Sequence, residues 1–241
     1  MSAEVNGWLA RLIPARCVLC GLDSGRRRLC NGCRNDLPQI VRACGRCSAP
    51  LPPGTGTGTC AGCDLSLAGI DRVRAALVYE RPVDHLVLAA KFGGRLDCAC
   101  ALGEMLARCL DCDPWFRPCD AIVPVPLHKS RLARRGYNQA AVIGTSVARS
   151  LRIPLRVRLC IRRRSTAAQS ALSGRARRLN VRGAFVATDA VEGLRVAIVD
   201  DVVTTGHTLS ALALALREAG AAGVDAWCAA RVVADQGARK I

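Results

Sequence analysis

Aromatic side chains are scarce: they make up 3% of the 241 residues, so any platform for stacking unpaired bases would be thin. Long apolar runs are missing too. None approaches the roughly 18 residues that a membrane-crossing helix needs, and the opening stretch MSAEVNGWLARLIPARC has no hydrophobic signal region. No membrane insertion and a cytoplasmic location are therefore expected. Lysine is nearly absent, since of 35 basic residues only Lys91, Lys129 and Lys240 are lysines. Together with abundant alanine this is the bias of a GC-rich genome, so the arginine count by itself says little about function. Acidic residues number 19, which leaves a formal charge of +16. Apolar residues are plentiful at 51%, enough to bury a core and to exclude intrinsic disorder.

Cysteine is the other abundance, with 15 in the chain. An odd total fits a closed disulfide framework badly, and without an export signal paired cysteines read as metal ligands or buried thiols. Eight of them form four C-x-x-C pairs: Cys17/Cys20, Cys30/Cys33, Cys44/Cys47 and Cys60/Cys63. That spacing lets both thiolates of a pair grip one ion from a tight knuckle, and two knuckles complete a tetrahedral sulfur site. The segment around them is short and poor in apolar residues, so metal would supply its folding energy. Two structural Zn²⁺ ions are expected, one on Cys17, Cys20, Cys30 and Cys33, the other on Cys44, Cys47, Cys60 and Cys63, with crossed pairing left open. Cys98, Cys109 and Cys112 fall at helical spacing with Leu102 and Met105 and read as a core stripe. A third metal site on Cys98, Cys100, Cys109 and Cys112 is the alternative.

After Cys63 the pattern alternates strand and helix. Strands are expected at Arg74–Tyr79, Asp120–Pro126, Arg195–Asp200 and Ala226–Val233, and helices at Val83–Phe92, Asn138–Leu151 and Thr208–Ala219. A further strand is expected at Leu155–Arg162, with Leu155, Val157, Leu159 and Ile161 inward and Arg156, Arg158, Cys160 and Arg162 outward. This order implies an α/β fold with an open, mostly parallel sheet, whose ligands sit beyond the carboxyl ends of the strands. The chain divides at residues 1–66, the cysteine block, and 67–241.

One expected strand ends unusually, in VAIVDDVVTTGHTLSALALAL. Val196–Val199 runs into Asp200 and Asp201, and Thr204, Thr205, Gly206, His207 and Thr208 then open a helix. Backbone N–H groups at such a turn, helped by threonine hydroxyls, form an anion cradle. Adjacent carboxylates are repelled by that anion and should face hydroxyls or Mg²⁺. A sugar phosphate satisfies both halves. An Asp-Asp strand end with a threonine cap is the plainer reading.

IVDDVVTTGHT resembles the 5-phosphoribosyl 1-diphosphate (PRPP) signature of type I phosphoribosyltransferases. The whole chain is similar to the ComF family, a competence-protein branch of that fold with an amino-terminal double zinc ribbon. The likeness is carried by the eight cysteines, by Lys91-Phe92-Gly93-Gly94 and by VPVPLHKSRLARRGYNQ at 123–139. It continues in Thr166, Gln169, Leu172-Ser173, Arg177, Asn180 and Gly183-Ala184-Phe185. The resemblance implies that Thr204, Thr205, Gly206, His207 and Thr208 hold the 5-phosphate while Asp200 and Asp201 take the ribose hydroxyls. Arg131 and Arg135 would neutralise diphosphate with Mg²⁺, and the span from Arg162 to Asn180 would close over the ribose. Enzymes of this fold that act on 6-oxopurines carry an acid where Thr204 stands, so a hypoxanthine or guanine acceptor is not expected. The family is also linked to uptake of transforming DNA beside a DNA helicase.

From Arg117 to Arg182 fifteen arginines and Lys129 face one acid, Asp120. Such a stripe suits either a single-stranded DNA backbone or a plain solvated face. Three functions fit these features: a phosphoribosyltransferase, a DNA-uptake adaptor, or a zinc-ribbon interaction protein with a vestigial pocket. Lys91 is either solvated or within reach of an anion. His85, His128 and His207 carry little weight as catalysts.

Overall fold

Apolar runs such as Val196–Val199 and Ala121–Val123 offer no polar face to solvent, so each must be covered on both sides. The computed structural model describes residues 15–52, 58–60, 63, 67–114, 116–163 and 183–233. In it these runs lie in a four-stranded parallel sheet of β1 (Arg72–Val78), β2 (Ala121–Pro124), β5 (Arg195–Val203) and β6 (Gly223–Arg231). The order is β1-β6-β5-β2, so every strand delivers its carboxyl end to the same edge. A separate antiparallel pair, β3 (Cys160–Arg162) with β4 (Phe185–Ala187), stands beside it.

Successive residues of β5 serve opposite faces. Ala197 and Val199 pack with α2 (Val83–Phe92), α3 (Leu96–Asp111) and α5 (Gln139–Leu151), whereas Val196 and Ile198 pack with α6 (His207–Glu218) and the β3–β4 pair. Helices α3 and α5 cross at Gly103, where a Cβ would lie 2.8 Å from the Ile143 carbonyl oxygen. The cysteine block, including the short α1 (Asn31–Asp36), is docked onto both cores. Cys17, Leu29 and Leu37 join the α2–α3 side, while Ile40, Cys44 and Cys47 join the other. No helix among the described residues is long and apolar enough to cross a membrane.

Two expectations are corrected. Leu155–Arg162 is not one alternating strand, because a turn at residues 157–158 shifts the phase of the residues beyond it. Val157 and Ile161 are therefore about half exposed, at 52% and 50%, while Cys160 and Arg162 face inward. In the helical stripe Cys98 is buried and Cys109 half-buried, but Cys112 is the exposed cap residue beyond the end of α3.

Candidate functional site

Strand β5 runs buried to Val199, and its next two residues point to opposite faces of the sheet. Asp200 turns toward the β3 side, where the Arg162 charge reaches it, and Asp201 turns toward α2. There Lys91, one residue from the end of α2, places Nζ 2.9 Å from Asp201 Oδ1. Asp201 is 3% exposed, and its Oδ2 has no hydrogen-bond donor among the described residues. Burial alone would lower the Lys91 ammonium, but the Asp201 and Asp200 carboxylates outweigh it and hold its pKa above the ordinary value. Asp200 is pushed up to about 7, first by desolvation and then by Asp201 beside it.

The strand then turns through Thr204 and Thr205 into Gly206, whose φ of 76° is a left-handed conformation that glycine adopts at little cost. Helix α6 starts at His207 with no side-chain cap and no acid in its first turn, and His207, Thr208 and Leu209 line the cleft, so the positive end of the helix lies at it. Thr205 Oγ1 and His207 Nδ1 lie 2.7 Å apart and steady the turn.

Beyond β2, His128 caps a short helix, α4 (Lys129–Arg135), by accepting from the Ser130 N–H. Gly136 ends it at a φ of 80°. Asn138 then caps α5 and donates to the Val125 carbonyl at 3.0 Å, which ties the arginine-bearing turn to the sheet edge. Arg131, Arg134 and Arg135 from α4 line the cleft, with Arg135 bonded to Gln139 and stacked 5.4 Å from the Phe92 ring centroid. Arg162 enters from β3, 5.3 Å from the Phe185 ring centroid.

The cleft holds about 860 Å³ and lies across the carboxyl ends of the strands, with Tyr79 after β1 and Val232 after β6 also lining it. It gathers Asp200, Asp201, Thr204, Thr205, Gly206, His207, Thr208, Arg131 and Arg135, all of the residues singled out from the sequence for this site. Lys91, Arg134 and Arg162 join them. Five cationic side chains thus meet two carboxylates. Burial and then the Arg135 and Arg134 charges lower the Arg131 pKa, and burial and then Arg131 lower that of Arg162. Cations crowded against one another around an uncapped helix N-terminus are prepared for an anion. Sequence reasoning left Lys91 open between solvent and an anion, and the anion it reaches is one of the protein's own, the Asp201 carboxylate. It set Arg162 outward because the phase shift at residues 157–158 leaves no mark in the alternation. Apart from Arg162 and Arg163, the expected closing segment to Asn180 lies outside the described residues, as do Thr166, Gln169, Leu172, Ser173 and Arg177.

The cysteines form two clusters in sequential pairing: Cys17, Cys20, Cys30 and Cys33, then Cys44, Cys47, Cys60 and Cys63, with the sulfurs of each set within 4.8 Å of one another. Neighbouring sulfurs are separated by 3.8 Å for Cys20–Cys30, 3.6 Å for Cys47–Cys60 and 3.7 Å for Cys60–Cys63. A disulfide needs about 2.05 Å, whereas roughly 3.8 Å is the edge of a tetrahedron with Zn–S bonds of about 2.3 Å. The donor set therefore fits Zn²⁺ and leaves no open coordination position. Burial raises Cys17 and Cys44, yet backbone N–H groups of the knuckles prevail and bring both down to about 6. Burial first, and then neighbouring sulfurs, push Cys33 and Cys47 up, so one thiolate in each set forms readily and a metal must draw out the others. Arg231, 1% exposed at the end of β6, donates from Nη1 to the Cys47 carbonyl at 2.9 Å. Among the described residues no third cluster forms.

Residues 138–240 match the family model described as a phosphoribosyl transferase domain, and residues 8–64 match that of a double zinc ribbon domain. The chain is 33% identical over 226 residues to the DNA utilization protein YhgH of Salmonella typhi, covering 92% of this chain and 99% of the relative. It is 31% identical over 224 residues to Competence protein F of Haemophilus influenzae, covering 90% and 96%. A solved structure, the glutamine PRPP amidotransferase of B. subtilis with ADP and GMP, aligns at a TM-score of 0.38 and 26% identity. That alignment spans 54% of this chain and 26% of the other.

Proposed function

The chain belongs to the ComF family, and we propose that its cleft binds PRPP with Mg²⁺ and serves transfer of the phosphoribosyl group to an acceptor. The observation that carries this reading is the excess of cationic side chains over carboxylates around the start of α6. In this reading Thr204, Thr205, Gly206, His207 and Thr208 hold the 5-phosphate through backbone N–H groups and hydroxyls. Asp200 and Asp201 serve the ribose side, and Arg131 and Arg135, with Arg162 opposite, neutralise the diphosphate. Mg²⁺ would add charge neutralisation on the departing diphosphate. The work falls to a domain of residues 67–241, with the ribbon of residues 1–66 held together by two Zn²⁺ ions.

Calorimetric titration of the zinc-loaded protein with PRPP and Mg²⁺ tests the reading. Saturable binding that disappears in Asp200→Asn/Asp201→Asn supports it and justifies a screen of acceptors for diphosphate release. No binding at millimolar ligand, or undiminished binding in the double variant, refutes it.

A second reading is single-stranded DNA handling in the cytoplasm beside a helicase, favoured by the names of the relatives and by Arg152, Arg156, Arg158 and Arg163, which are exposed outside the cleft. Arg162 is excluded from that surface by its burial. Arg156→Glu/Arg158→Glu should weaken single-stranded DNA binding and flatten its dependence on log salt by about 1.4, two contacts at roughly 0.7 each. Absent or salt-independent binding overturns this second reading.

A further inference from the structure

The two carboxylates at the end of β5 look equivalent in sequence but not in space. Asp200 is half-buried and turned toward Arg162, whereas Asp201 is buried and already carries a counter-ion, the Lys91 ammonium at 2.9 Å. Lys91 is supplied by α2, on the opposite face of the sheet from β3, so its contact with Asp201 follows from the fold and not from the loop that receives the phosphate. Its side chain is 26% exposed and that of Asp201 is 5% exposed, so water screens the pair only from the amine side. The choice of lysine is informative in a chain where all but three of 35 basic residues are arginine. A guanidinium fork tends to engage both oxygens of a carboxylate, but an ammonium is a point charge that can bind one and leave the other. Here Oδ1 is taken and Oδ2 is left without a donor among the described residues.

We propose that Lys91 is a positioning residue that acts as a built-in cation at Asp201, so that the sugar-phosphate half of a phosphoribosyl ligand binds without a divalent ion and only the diphosphate half calls for Mg²⁺. This rests on the phosphoribosyl reading of the cleft. With Asp201 neutralised by Lys91, the ligand meets a single uncompensated carboxylate, Asp200, opposite the cationic wall of Arg131, Arg135 and Arg162. Without Lys91 a second buried negative charge would stand beside the sugar, and a divalent ion would be needed to offset it.

The test uses ribose 5-phosphate, which lacks the diphosphate, titrated calorimetrically into the zinc-loaded full chain with Mg²⁺ either omitted or present. In the wild type the two affinities should agree within twofold. In Lys91→Met the affinity without Mg²⁺ should fall at least tenfold, and Mg²⁺ should restore much of it. Lys91→Arg, which keeps the charge, should return the ratio with and without Mg²⁺ to near one. A lysine with only a structural part would lower both affinities alike, so an unchanged ratio in Lys91→Met overturns the proposal. A wild type that itself needs Mg²⁺ for ribose 5-phosphate also overturns it. If Lys91→Met fails to fold, Lys91→Gln is measured in its place against the same ratio. A wild type that binds neither ribose 5-phosphate nor PRPP sinks the phosphoribosyl reading itself, a result distinct from binding that ignores Lys91.

Discussion

Replacing either aspartate of the Asp200–Asp201 pair by asparagine changes one atom, yet the two replacements should move stability in opposite directions. Asp200 carries a pKa of about 7 in the folded chain against 3.8 for the ordinary carboxyl. At roughly 1.4 kcal/mol per unit the full displacement would be worth about 4 kcal/mol. Asp200 is partly exposed and coupled to its neighbour, so screening should reduce this to about 1–2 kcal/mol. Between pH 4 and 7 the folded form holds a proton that the unfolded form has released, so stability falls as pH rises through that window. The cost is complete above pH 7. Asp200→Asn should therefore raise the melting temperature by roughly 2–8 °C at pH 8 for a chain of this length, and by less at pH 6. Asp201→Asn instead strands Lys91 in a largely buried site. Breaking a fully buried pair costs about 3–5 kcal/mol, and the partial exposure of Lys91 brings the expectation to about 2–3 kcal/mol. The melting temperature should drop by roughly 4–12 °C. That loss should be somewhat smaller at pH 8 than at pH 6, because Lys91 keeps the attraction of Asp200 and removing Asp201 also relieves the repulsion that raises Asp200. Thermal unfolding of the zinc-loaded variants at the two pH values reads both effects. Shifts of the same sign at pH 8, or a gain in Asp200→Asn that shrinks from pH 6 to pH 8, would refute the assignment of one frustrated and one compensated carboxylate.

Other perturbations probe different parts of the molecule. Arg231→Met removes the donor to the Cys47 carbonyl and should weaken the second zinc site tenfold to a hundredfold while sparing the first, as read by chelator competition. Equal loss at both sites would contradict the local role. Gly103→Ala sets a methyl 2.8 Å from a backbone oxygen of α5 and should cost about 1–3 kcal/mol in thermal unfolding; a neutral result would mean that the α3–α5 crossing relaxes freely. Gly206→Ala forces a side chain into a left-handed turn, at about 1 kcal/mol of strain, and should lower PRPP affinity severalfold. Unchanged affinity there would argue against an anion at the start of α6.

The ordering of strands and helices was legible along the chain because apolar runs and helical stripes are local patterns. Val83–Phe92 matches its expected ends, with Gly93 as a local stop signal, and the helix expected over Asn138–Leu151 ends at Leu151 but starts at Gln139, Asn138 being its cap. The Leu155–Arg162 stretch misled because the turn at residues 157–158 breaks the alternation, leaving Leu159 buried but turning Cys160 and Arg162 inward and Ile161 outward, and alternation alone cannot register where a strand begins. The eight cysteines announced two metal sites, but their spacing was compatible with sequential or crossed pairing. Three-dimensional proximity of the sulfurs decides for the sequential set.

By itself the sequence determined what depends on short-range pattern: the α/β class, the cysteine knuckles, and the Asp-Asp and Thr-Thr-Gly-His-Thr turn at a helix start. Tertiary structure alone decided what depends on distant segments meeting. It set Lys91 against Asp201 across 110 residues of chain, brought Arg162 inward beside Arg131, and seated Arg231 under the second cysteine cluster. The physical reason is that charge in a protein acts over a few ångströms of space and not along the chain. A pair of adjacent aspartates becomes one compensated and one strained carboxylate only when the sheet turns them to opposite faces and a helix supplies a cation to one of them.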